Sequence, residues 1–221
     1  MIAQPQPVKY YDLAARLPAD ANLVLHGVSW QEYEALLDAV GEAKRWRISY
    51  HRGTLQIMTI SIAHEHYSKV IERLIDRLSM LWRIKVLCFG SATLKKQREL
   101  AGVEPDACFY VQNADVIGSR LDLDFSVDPP PDIVVEVDIH HESISRFPIY
   151  AALGVPEIWH YDTQVLQIHQ LQQGQYVESP VSPAFPQLTA DLLTEFLDRS
   201  KVEDQYEVLL AFEDWLKTQS K

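Results

Sequence analysis

The sequence predicts a mixed α/β (α+β) domain in which helices flank a central sheet. Three observations carry that reading. Ile133–Val137 is an almost continuous β-branched run, the pattern of a strand covered on both faces. Ser61–Trp82 bears an apolar stripe of Tyr67, Ile71, Leu74, Ile75, Leu78 and Leu81 at spacings of three and four, which makes one long helix. Around these two lie short alternating runs, giving the order helix, strands, long helix, strands, helix, strands, helices.

Composition sets the bounds. The chain has 221 residues, 47% apolar and 23% charged, as in an ordinary globular domain. No apolar run is long enough to span a membrane, and Met1–Pro5 lacks the basic and apolar regions of a signal peptide; a cytoplasmic protein is expected. Cys88 and Cys108 lie in apolar runs and read as buried free thiols. The net charge of −11 argues against broad, non-specific binding to nucleic acid. Charge is unevenly spread, however: residues 1–100 hold 14 Lys+Arg against 10 Asp+Glu (+4), and residues 101–221 hold 6 against 21 (−15).

The elements follow in order. Residues 1–28, with Pro5, Pro7 and Pro18, read as an irregular N-terminal arm. Ser29-Trp30-Gln31-Glu32 is a capping box that opens a helix to about Val40. Trp46, Ile48 and Tyr50 alternate with Arg45, Arg47 and Ser49, giving a half-buried strand that turns at Arg52-Gly53 into a second strand, 54–59. The long helix comes next, and its first turn aims His64, with Glu65 on its flank, toward the sheet. Strands are expected at 84–89, 93–98 and 103–111, followed by a polar, acidic link over 112–131.

Pro129-Pro130-Pro131 then forces an abrupt start to the 133–137 strand. Ser143 and Ser145 offer caps to a short helix, about 147–153, with Pro148 in its first turn and Gly154 at its end. Residues 156–161, 165–171 and 175–177 form a β-meander, whose exposed edge and tyrosines Tyr161 and Tyr176 suggest a homodimer. Two helices, about 189–199 and 203–217, end the chain. The expected division is an arm at 1–28, a domain at 29–178 and a helical extension at 179–221.

Candidate chemistry centres on two acids. Glu136 sits inside the apolar strand, where a carboxylate is costly without a cation or several donors, and Asp138 follows it. Asp106 would lie beside Glu136 if their strands pair antiparallel. Converging carboxylates make a hard-oxygen site suited to Mg²⁺ or Mn²⁺, which can polarise a phosphodiester and activate water. His140, His141 and Glu142 follow at the strand end, but adjacent residues of an extended segment point to opposite sides.

At these residues a resemblance emerges. Pro105-Asp106, with Glu136-Val137-Asp138 thirty residues on, resembles the PD-(D/E)XK nuclease superfamily. Arg52–Leu55, His64–His66, Glu104–Asp106, Val134–Val137 and Tyr150–Trp159 resemble its branch of restriction-endonuclease-like proteins, over about residues 29–178. The resemblance implies a restriction-endonuclease-like core with a mixed four-stranded sheet. It also implies Asp106 and Glu136 as metal ligands, His64 or Glu65 as a further contributor, and nucleic acid, with DNA expected, as the partner.

One departure stands out. Asp138 occupies the place where the superfamily carries the lysine that orients water and offsets charge. Lys95, Lys96 and Arg146 are the candidate replacements. Two functions therefore stand side by side: a metal-dependent endonuclease, and a catalytically degenerate nuclease fold that binds nucleic acid or a partner protein without cutting.

Overall fold

The structure, a computed structural model, describes residues 7–18, 21–41, 46–139 and 146–219. The elements are α1 (Pro7–Ala14), β1 (Asn22–His26), α2 (Trp30–Val40), β2 (Trp46–His51), β3 (Thr54–Thr59), α3 (Ile62–Trp82), β4 (Leu87–Cys88), β5 (Leu94–Lys96), β6 (Ala101–Val103) and β7 (Ala107–Tyr110). They continue with α4 (Ala114–Ile117), β8 (Ile133–Val137), α5 (Phe147–Leu153), β9 (Glu157–Tyr161), β10 (Leu166–Gln172), β11 (Gln175–Ser179), α6 (Ala190–Arg199) and α7 (Gln205–Gln219). Among the described residues no helix is long and apolar enough to cross a membrane.

The mixed α+β class is as expected, but the described strands form two sheets. One has the order β1-β3-β2-β6-β5 and the other β11-β10-β9-β8-β7-β4. The first is antiparallel throughout; the second contains the parallel pair β8–β9, joined through α5. Such a pair needs a crossover, and α5 supplies it before ending at Gly154, whose φ of 82° a side chain would resist.

Local signals explain most boundaries. In α2, Ser29 accepts from Glu32 N while Glu32 accepts from Ser29 N, the expected capping box. Ser61 caps α3, which buries Ile71, Leu74, Ile75 and Leu78 against β8 and β9 together with α6 and α7. Each such aliphatic contributes about 1.5–3 kcal/mol when fully buried. The opposite face of β8 and β9 lies under α5, where Val134 and Ile158 meet Tyr150 and Leu153. Two covered faces are why Ile133–Val137 lacks alternation. A separate cluster packs Trp30, Tyr33 and Leu36 of α2 on Ile48, Tyr50, Leu55 and Ile57 of the first sheet.

Four expectations are corrected. The supposedly irregular lead-in contains a helix and β1, a strand paired antiparallel with β3. The predicted half-buried strand around Trp46 is buried on both sides from Trp46 to Tyr50. Tyr161, expected at an exposed edge, is fully buried, although β11 is an edge strand and Tyr176 is half-buried. Cys88 is an exposed thiol; only Cys108 is buried, and both are free.

The predicted strand 103–111 is also two strands. β6 pairs with β2 and β5, whereas β7 pairs with β4 and β8, so the chain leaves one sheet and enters the other at Glu104-Pro105-Asp106. Pro105 has no N–H to give a ladder, which makes it a suitable residue for the crossing. Glu104 anchors the near side, accepting from Ile48 N at 3.1 Å and Thr93 Oγ1 at 2.8 Å. The backbone of Gly102 passes so close to Tyr33 that a Cβ there would collide with its ring.

Candidate active site

Asp106 emerges where the chain crosses between sheets, and its side chain is fully buried. Its N–H reaches Val135 O at 3.0 Å, and Val137 N donates to its Oδ2 at 2.8 Å. That clamp exists because β7 and β8 run antiparallel with Ala107 opposite Val135, as the acid pairing requires. Two basic side chains complete its surroundings. Arg47 Nε of β2 lies 3.1 Å from Oδ1, and His64 Nε2 of α3 lies 3.1 Å from Oδ2. The imidazole is off the direction of a well-formed hydrogen bond, and its Nδ1 has no partner among the described residues.

Glu136, 4% exposed, is one residue from the amide that clamps Asp106. Arg146 Nη1 donates to its Oε2 at 2.5 Å, and the Tyr150 hydroxyl donates to its Oε1. The first turn of α5 thus faces the end of β8. Arg146 also meets Met58 Sδ at 3.8 Å, and Met58 is the cross-strand partner of Arg47 on β3. Arg47 thus reaches the acids from the β2–β3 hairpin, and Arg146, from the start of α5, packs on the hairpin residue paired with it.

Electrostatics separate the two acids. Burial alone would raise the Asp106 pKa, but the contact with His64 and the charges of His64, Arg146 and Arg47 outweigh it and hold the carboxyl below its usual range. Burial also dominates at Glu136; there the Arg146 charge does not compensate, and Asp106 and Asp138 add repulsion, so its pKa is pushed up to about 7. For His64, burial lowers the pKa, yet Asp106 leaves it raised overall.

The other expected residues fall as follows. Glu65, on the first turn of α3, accepts from Arg47 Nη2 at 3.1 Å and is half-exposed. Asp138 lies just past Glu136 and meets His160 Nε2 at 2.9 Å. Lys95 is not brought to the acids: on β5 of the first sheet, it pairs with Glu34 of α2 at 3.0 Å. Lys96, its neighbour, stands opposite Ala101, and neither lysine is among the charges that shift Asp106 or Glu136. Of the three candidate cations, Arg146 alone is paired with Asp106 or Glu136 among the described residues. His140, His141 and Glu142, with the capping serines Ser143 and Ser145, lie outside the described residues.

Three site residues were missed. Arg47 was read as one of the polar positions of a half-buried strand, Tyr150 as part of a family string, and His160 as a plain strand residue. The charge partition held a signal for Arg47, since acids buried in the acidic half need cations from the basic half.

An acid at the sheet crossing and an acid of β8, each paired with a buried guanidinium, fit a restriction-endonuclease-like protein. The chain belongs to the Uma2 family, described as "Putative restriction endonuclease", whose model matches residues 30–200. A solved structure of a "putative nuclease belonging to DUF820" from Anabaena variabilis ATCC 29413 is similar over 67% of this chain and 90% of that one, at 17% identity and a TM-score of 0.46. No curated protein matches the chain.

Among the described residues no three His, Cys, Asp or Glu side chains gather closely enough to cage an ion. Mg²⁺ does not require a cage: it keeps several waters and is commonly held by one or two carboxylates and the substrate phosphate. A carboxylate has about four lone-pair directions. Asp106 has contacts from Arg47, His64 and Val137 N, and Glu136 from Arg146 and Tyr150. Acceptor capacity remains on both, so the donor set fits a hard dication.

Proposed function

We propose that this protein is a metal-dependent endonuclease acting on nucleic acid, with DNA as the expected substrate. Asp106 and Glu136 would hold Mg²⁺ or Mn²⁺, which when bound polarises the phosphodiester and lowers the pKa of an attacking water. The observation that carries this reading is the pair of buried acids at the sheet junction, each in contact with a buried guanidinium. Arg146 takes the part of the absent lysine. Always protonated, it can offset charge building on the phosphate oxygens but cannot accept a proton. His64 and the Val137 amide orient Asp106, and Tyr150 orients Glu136.

The second reading, a nuclease fold that binds without cutting, also has an observation in its favour: both acids are already neutralised by side chains of the same chain. A homodimer paired through the β11 edge, in the cytoplasm, would suit an enzyme that cuts both strands of a duplex. Purified protein should be offered a panel of DNA and RNA with Mg²⁺ or Mn²⁺. Wild type is expected to cut, and Asp106→Asn to lose at least about 10²-fold in rate, the scale for losing a central electrostatic contact. Retention of oligonucleotides without cutting would favour the binding reading. Equal cutting by Asp106→Asn would place the activity elsewhere.

A further inference from the structure

The function proposed above gives Arg47 no task beyond its contact with Asp106, yet its guanidinium is buried, the residue being 5% exposed. Its strand alternates Trp46, Ile48 and Tyr50 toward α2 with Arg47 and Ser49 toward the other side. On that side the guanidinium divides its donors between two acids: Nε faces Asp106 Oδ1 at 3.1 Å, and Nη2 faces Glu65 Oε1 at 3.1 Å.

The two oxygens of Asp106 are not equivalent. Oδ2 is tied to the Val137 amide at 2.8 Å and lies against His64. Among the described residues Oδ1 has one polar contact, Arg47. Oδ1 is the oxygen with fewer neighbours, and a cation that takes it meets Arg47 there.

We propose that Arg47 is a positioning residue that occupies, on Asp106 Oδ1, the place of the dication. It supplies the counter-charge that lets Asp106 remain buried and ionised before metal arrives, and it competes with the metal for that oxygen. Glu65, half-exposed at the start of α3, gives the guanidinium a second partner to keep when it yields Asp106. The inference rests on the metal-site reading above and adds to it a built-in competitor.

The test measures Mn²⁺ binding to the full chain by calorimetry, with thermal melts in EDTA and in Mn²⁺. Arg47→Met removes charge and donors; Arg47→Gln removes the charge but keeps a donor for Oδ1, which protects the fold. Both variants should bind Mn²⁺ roughly tenfold or more tightly than wild type, because a unit positive charge no longer stands beside the ligand. Both should melt earlier than wild type in EDTA and regain more of the difference in Mn²⁺. A merely structural arginine would lower the melt equally in both solutions and leave affinity unchanged or weaker, and that result overturns the proposal.

Asp106→Asn separates this inference from the reading beneath it. If wild type binds Mn²⁺, Asp106→Asn does not, and Arg47→Gln binds no tighter, the competitor role alone is lost. If Asp106→Asn binds as wild type does, or neither wild type nor Arg47→Gln binds, the metal site falls with it. Binding by Arg47→Gln in the absence of detectable binding by wild type is the strongest support.

Discussion

The two ends of β8 each carry a buried acid, and they are built differently. At the start, Asp132 accepts from Val111 N at 2.7 Å, Asn113 N at 3.0 Å and Asn113 Nδ2 at 2.6 Å, all neutral donors of the loop after β7. At the finish, Glu136 meets Arg146 and Tyr150, with Asp106 and Asp138 close enough to disfavour its charge. Glu157, at the start of β9, also has neutral donors only, Trp159 Nε1 at 2.6 Å and Ala184 N at 3.1 Å, and so docks the Pro-rich segment, although burial raises its pKa as it does that of Glu136. An acid fixed by amides is part of the architecture. An acid held by a cation and pushed toward neutrality is poised to exchange that partner, the behaviour expected at a working site.

Exchange of function against stability should break this pair apart. Arg146→Met is expected to lower cleavage by about 10²–10³, the scale for losing one transition-state donor. Asp132→Ala should leave cleavage within a few-fold but cost about 1–3 kcal/mol in urea unfolding, because buried amides lose their acceptor. Equal rate losses for both would mean that the two ends of the strand do not differ in kind.

A pH series sharpens the contrast. The folded pKa of Glu136 is raised to about 7, above its unfolded value. Between roughly pH 4.5 and 7 the native state therefore holds the proton more firmly, and stability contributed by this group falls as pH rises through that window. His64 and His160 are raised too, so their contribution is present below the unfolded histidine pKa and is lost as pH climbs through the folded one. Glu136→Gln should flatten the metal-free stability profile over the lower window and reduce, without removing, the histidine part, because Asp106 and Asp138 still raise those imidazoles. An unchanged slope by urea titration would refute the assignment.

The smallest effect concerns a residue that only looked relevant. Lys95→Ala removes a surface pair with Glu34, worth about 0–1 kcal/mol, and should leave cleavage unchanged. A large rate loss would return Lys95 to the list of catalytic cations.

What was legible in the chain was local. The capping box, the α3 stripe, the Gly154 stop and the covered run of β8 are near-neighbour patterns; Glu136 is anomalous amid Val and Ile, whereas Asp106 draws notice only through its expected pairing with Glu136. Arg47 was illegible because its alternation suits a solvent-facing hairpin, and only packing between sheets buries it. Lys95 misled for the complementary reason. It is eleven residues from Asp106 in sequence, but the crossing at Pro105 puts it in the other sheet.

That crossing has a consequence for how the protein folds. The contacts of the site span long stretches of chain: 59 residues from Arg47 to Asp106, 88 from Met58 to Arg146, and 31 from Asp106 to Val137. Loops of that length must close before any of these contacts forms, and closure comes late in domains dominated by distant pairings. Either sheet alone holds only part of the set, Arg47 on one and Glu136 on the other, with Asp106 between them. A nascent chain that has made its first sheet thus holds Arg47 without either acid; the acids come together when β7 pairs with β8, and Arg47 meets Asp106 only where the two sheets adjoin.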